Sequence, residues 1–207
     1  MKHITFYLDF VSPYAWLALE QMPQALQGIS HHIEYRPVLL GALLQGDANP
    51  GPAGIPAKRA WTYRHVSWLG QSLGIPLQMP AQHPFNPLPL LRLALAHGRN
   101  GSINRFVAQA VMQHAWMAGL DANAPERLQV LRELLLEQKH TEEAGEDVKQ
   151  WLRSNTDQAK QAGVFGVPAW EVDGKVFWGQ DALPMLRSYL QGDSWFDAHW
   201  SALESIP

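Results

Sequence analysis

The chain has 207 residues, is 46% hydrophobic and 17% charged, and carries a formal net charge of -3 with nine histidines and no cysteine. A chain of this size and apolar content can bury a core of its own, which excludes wholesale disorder, and its negative charge offers no general attraction to nucleic acid or anionic lipid. Without cysteine there is no disulfide, no protein thiolate and no thiolate metal site, and no histidines fall in an H-E-x-x-H arrangement, so no metal is expected.

The opening MKHITFYLDF alternates toward strand residues and lacks the apolar core and small-residue cleavage site of a secretory leader. No segment reaches the ~18 apolar residues of a membrane span, so a soluble cytoplasmic protein is expected. His3 to Phe10 read as a strand, Ala15, Leu19, Met22 and Leu26 recur at helical spacing, and Ile33 to Leu40 read as a second strand ended by Pro37 and Gly41. That is a parallel β-α-β unit. The Gly/Pro-rich stretch LLQGDANPGPAGIPAKRAW, Leu43 to Trp61, predicts a loop rather than a regular element.

From Ala57 the pattern turns helical, through Ala57–Leu73, Leu88–His97, Ile103–Met117, Pro125–Lys139 and Glu142–Ala162. Pro87 and Pro125 stand near first turns, and Ser102 is the expected cap of the third helix. In GVPAWEVDGKVFWGQDAL, strands Ala169–Val172 and Lys175–Trp178 flank Asp173-Gly174, a strong hairpin signal. Helices from Ala182 to Leu190 and Trp195 to Leu203 close the chain. The order is that of an α/β thioredoxin-like domain, residues 1–41 and 164–207, interrupted by an all-α insertion, residues 42–163.

Three places carry chemistry. Ser12-Pro13 ends the first strand and starts the first helix; on its own it reads as an ordinary N-cap with proline at N1, and its position in a thioredoxin-like sheet adds a second reading, a hydroxyl aimed at an anion where the helix dipole favours negative charge. Val167-Pro168 precedes the third strand, where a thioredoxin-like sheet carries a cis proline, and the Val167 backbone could then pair with an extended peptide. Asp181, beside Gln180, reads as a cap or as a partner for an ammonium group; Lys58 and Asn49, flanking the Gly/Pro loop, read as solvated or as carboxylate ligands.

The stretches FYLDFVSPYAWLA, NPGPAGIPAK, HPFNPLPLLRLALA, GVFGVPAW and FWGQDAL, in this order, resemble the 2-hydroxychromene-2-carboxylate isomerases, relatives of the kappa-class glutathione transferases and more distantly of thioredoxin-fold disulfide oxidoreductases. The oxidoreductases carry Cys-x-x-Cys at the first junction; here it is Ser12-Pro13-Tyr14-Ala15, which removes disulfide chemistry. The resemblance implies glutathione as cofactor. Ser12 faces its thiol, Asn49 and Lys58 hold the glycyl end, Val167 with Pro168 pairs with the cysteinyl backbone, and Gln180 and Asp181 receive the γ-glutamyl group. Gln180 departs from the small residue common there. Asn86 is implied as a contact to the organic substrate, against its other reading as a turn residue before Pro87.

The implied activity is interconversion of 2-hydroxychromene-2-carboxylate and trans-o-hydroxybenzylidenepyruvate in aromatic catabolism, by reversible addition of the glutathione thiolate. Trp61, Trp116 and Phe85 are candidates for an apolar substrate pocket, with core packing as their other reading, and a homodimer follows only from the resemblance. The alternatives are a kappa-like transferase that conjugates electrophiles and a non-catalytic thioredoxin-like binding module.

Overall fold

The structure, a computed structural model, describes residues 1–45 and 50–204. Strand β1 (Lys2–Leu8) and strand β2 (His31–Pro37) are parallel, with Phe6 opposite Tyr35, and helix α1 (Pro13–Ala25) makes the crossover. Strand β3 (Ala169–Val172) pairs antiparallel with β1 and strand β4 (Lys175–Trp178) antiparallel with β3, giving the order β2-β1-β3-β4. Asp173 and Gly174 both take positive φ, 50° and 73°, the backbone a two-residue primed turn needs. The fold is thus α/β and thioredoxin-like.

Between the two halves run α2 (Leu40–Gln45), α3 (Gly51–Gly54), α4 (Pro56–Leu73), α5 (Leu88–Ala96), α6 (Arg105–Trp116), α7 (Pro125–Leu134) and α8 (Glu146–Gln161). After β4 come a single 3-10 turn (Gln180–Ala182), α9 (Leu183–Leu190) and α10 (Trp195–Glu204). Three expectations need correcting. The second strand stops at Pro37, and Leu40 instead begins α2, whose first N–H is capped by Asp9. The Gly/Pro stretch is partly helical, because Pro52 and Pro56 sit at first-turn positions where a missing N–H costs nothing. The third insertion helix is capped by Asn104, whose Oδ1 accepts from Val107 N at 2.9 Å; Ser102 bridges to Arg99 instead.

Phe6 and Trp170 stack at 5.3 Å between β1 and β3, and Trp16 and Trp116 are buried beside them. The same apolar cluster continues through Leu90, Leu93 and Leu95 of α5 and Val107 and Val111 of α6. Each such side chain stabilises the fold by roughly 1.5–3 kcal/mol, so sheet and helical segment are held together by shared burial. Two polar devices lock the layers. Pro23, inside α1, has no N–H for the Leu19 carbonyl one turn back; Arg105 Nη1 donates to that carbonyl at 3.1 Å and also reaches Glu20. Buried Asn155 of α8 donates to Pro37 O at 3.0 Å and Gly101 O at 2.7 Å, tying the end of β2 to the turn before α6. Among the described residues no helix is long and apolar enough to cross a membrane.

Candidate functional site

Ser12 is the N-cap of α1, with extended backbone (φ -94°, ψ 114°) and Pro13 beginning the helix. Its Oγ accepts from Ala15 N at 3.3 Å and donates to Val167 O at 3.3 Å, a contact that spans the two ends of the chain. The cap reading is therefore correct. It is not the whole account, because a cap needs only the acceptor lone pair and leaves the hydroxyl proton free to be aimed. Pro13 has no N–H, and no described residue accepts from the N–H of Tyr14, so this helix end presents a donor and a positive dipole beside the hydroxyl.

The junction is held from beneath by Asp9, which in the sequence reads only as the end of a strand. Its carboxylate is wholly buried and accepts from Val11 N at 3.2 Å and Leu40 N at 2.8 Å. Its backbone carbonyl takes the N–H of Ser12 at 3.0 Å. One residue thus fixes the turn into Ser12 and the start of α2. Burial pushes its pKa up to about 7, opposed by hydrogen bonds from the N–H groups of Leu40, Val11 and Phe10. The legible signal is a lone carboxylate closing an apolar strand, three residues before the serine.

Facing Ser12, the Val167-Pro168 bond is cis. Among the described residues nothing accepts from the Val167 N–H, while the Pro168 carbonyl takes Gly179 N at 2.9 Å, so the loop is anchored behind and open in front. Gly179 leads into the 3-10 turn at φ 99°, a backbone conformation that favours glycine, with the Asp181 carboxylate close beside it. Asp181 is exposed and makes no capping bond; it has no hydrogen bond or ion pair to described residues. Gln180 is not free in this way, since its side-chain amide donates to Gln21 of α1.

Lys58 lies in the first turn of α4, exposed and without an ion-pair partner among the described residues. The spacing of Lys58, Thr62 and His65 puts them on one helix face, and His65 touches α1 through Tyr14. Lys58 is therefore about two turns from the α1 contact at His65. Asn49 lies outside the described residues. Asn86 takes the turn role: its Oδ1 accepts from Leu88 N at 3.1 Å, and its exposed side-chain amide has no partner among described residues. The segment that carries it does meet the junction, through His83, whose Nε2 donates to Val11 O at 2.8 Å. Burial holds the His83 pKa below the usual imidazole range, although the Val11 carbonyl works the other way.

The expected aromatic pocket is corrected. Trp116 is buried and its Nε1 donates to Phe10 O at 2.9 Å, and Phe85 packs on it, so both belong to the core. Trp61, at 64% exposure, faces outward on α4. Chemically, Ser12, the α1 N-terminus and the Val167 backbone come together at one place. These groups can orient an extended peptide and stabilise an anion, but they offer no sulfur.

The family model of the DSBA-like thioredoxin domain matches residues 3–191. The chain is 28% identical over 204 residues to a 2-hydroxychromene-2-carboxylate isomerase from Sphingobium xenophagum, covering 91% of this chain and 98% of the relative. It is 26% identical over 211 residues to glutathione S-transferase kappa 2 from Caenorhabditis elegans, covering 91% and 92%. Among solved structures, a 2-hydroxychromene-2-carboxylate isomerase shares the fold with a TM-score of 0.77 at 21% identity, over 96% of this chain and 98% of that one.

Proposed function

The chain belongs to the DSBA-like thioredoxin domain family, and we propose that within it the chain is a glutathione-dependent isomerase interconverting 2-hydroxychromene-2-carboxylate and trans-o-hydroxybenzylidenepyruvate. The observation that carries this reading is the Ser12 hydroxyl, held at a helix N-terminus 3.3 Å from the Val167 carbonyl in a chain without cysteine. A site shaped for a peptide and an anion then calls for a peptide that brings its own thiolate. The relatives' names support the two halves of the reading, isomerase and glutathione.

Glutathione's cysteinyl backbone would pair with the N–H and C=O of Val167 beside Pro168. Its N–H then competes with Ser12 for the Val167 carbonyl, and the serine proton turns to the sulfur. Lys58 and Asn49 would hold the glycyl carboxylate, and Asp181 the γ-glutamyl ammonium; Gln180, engaged with Gln21, contributes less. A free thiol, pKa ~8.5, is only a few per cent ionised at neutral pH, and the hydroxyl with the helix end raises that fraction. The hemiketal ring of the chromene first opens to the cis keto acid, and the thiolate adds to the carbon β to its ketone, turning the double bond into a single one with the electron pair held as an enolate. The bond then rotates and elimination returns the thiolate, so glutathione is not consumed. The amide of Asn86 would contact the organic acid.

A homodimer in the cytoplasm, serving aromatic catabolism, completes the proposal. The second reading, a transferase, is favoured by the kappa relative. Product analysis separates them: the isomer with glutathione recovered in full is expected, whereas one thioether per turnover with an aromatic electrophile, and an unchanged chromene, would make the chain a transferase.

A further inference from the structure

Tyr14 follows Ser12 by two residues in the first turn of α1, and its half-buried hydroxyl crosses to α4. There it meets His65 Nδ1 at 2.9 Å and the Thr62 hydroxyl. The His65 ring lies between Trp61 and Trp68, with centroids 5.9 and 6.4 Å away and 13° between planes on each side. That stack fixes the ring, and no described residue hydrogen-bonds its Nε2. With the proton on Nδ1, His65 and Thr62 both donate to the phenol oxygen, and the phenol's own proton is free to point elsewhere. Burial pushes the Tyr14 pKa up and keeps that proton in place; the Thr62 hydrogen bond lowers it and the Asp181 charge raises it.

We infer that the Tyr14 hydroxyl is the hydrogen-bond donor to the carbonyl oxygen of a conjugated keto-acid substrate as the thiolate adds, with His65 and Thr62 holding it in position. This deepens the proposed function and rests on it. When the sulfur's electron pair forms the C–S bond, the substrate's double bond shifts and its electron pair ends on the carbonyl oxygen as an enolate. Tyr14 stabilises that charge without giving up its proton. On elimination the enolate re-forms the double bond and the sulfur leaves with its pair, so electrons and protons balance within one turnover. The two hydroxyls divide the chemistry, Ser12 serving sulfur and Tyr14 serving oxygen.

The test compares Tyr14→Phe, Thr62→Val and His65→Phe with wild type, after circular dichroism has confirmed each fold. Glutathione affinity is read by calorimetry, the thiolate of bound glutathione by its ultraviolet absorbance, and chromene conversion by absorbance. The inference expects glutathione affinity and thiolate absorbance to stay within about twofold, while kcat falls ~10²–10³-fold in Tyr14→Phe, as for loss of one oxyanion donor. In His65→Phe and Thr62→Val kcat falls by less, with KM nearly unchanged; these two carry the test if Tyr14→Phe does not fold. Undiminished kcat in Tyr14→Phe would overturn the inference, as would a thiolate absorbance that falls with kcat, which would put the hydroxyl on sulfur. If wild type binds glutathione yet leaves the chromene untouched, the proposed function fails first, and this assignment with it.

Discussion

Ser12 and Asp9 show how one short turn does two jobs. The serine's lone pair caps α1 while its proton is held by Val167, so Ser12→Ala removes both. The cap loss costs about 1 kcal/mol of stability, and the lost charge-assisted bond to sulfur lowers kcat/KM by about 10- to 100-fold; denaturant titration beside steady-state kinetics separates the two. A stability loss with unchanged kcat/KM would leave the serine a cap alone. Asp9 makes a pH prediction. Its folded pKa, about 7, lies above the unfolded 3.8, so the folded chain holds the proton more tightly. The stability from that proton is full below about pH 4 and is lost as pH rises through 7. The lowered values of His83 and His114, both set mainly by burial, tilt the curve the other way, because their protonation on acidification favours unfolding. The melting temperature of wild type minus that of Asp9→Asn, followed from pH 4 to 8, isolates the carboxyl; the difference should fall as pH rises, and a flat difference would contradict this account.

Elements are legible where local chemistry decides them. The Asp173-Gly174 hairpin, Ser12-Pro13 and the start of α7 at Pro125 are all local signals, and the structure places elements there. What escapes the sequence is tertiary. Leu40 begins a helix because Asp9, thirty-one positions earlier, caps it, and no window around Leu40 contains that carboxylate. Trp116 reads as either pocket lining or core, and its place in the core is decided by an indole N–H that finds Phe10 O, 106 positions away. Proline in α1 is tolerated for the same kind of reason: Arg105 supplies the donor that Pro23 lacks. Arg105→Met should therefore strand the Leu19 carbonyl and lose about 1–3 kcal/mol in denaturant titration. The double variant with Pro23→Ala should recover much of that loss, since the helix then satisfies its own carbonyl. No recovery would show that Arg105 acts through Glu20 instead.

At the scale of the molecule, the sheet supplies the Ser12 helix end and the Val167 loop, and the helical segment supplies Lys58, Thr62 and His65, with one apolar cluster drawing on both. A ligand gripped from both sides must therefore stabilise the whole fold. At one hundred times its dissociation constant, glutathione should add about 2.7 kcal/mol, seen as a raised melting temperature that Lys58→Met and Asp181→Asn reduce. The most direct test of the central claim, that the reacting sulfur is borrowed, follows chromene conversion with glutathione, with S-methylglutathione and with neither. Conversion with free glutathione alone is the predicted result; equal conversion in all three would contradict it.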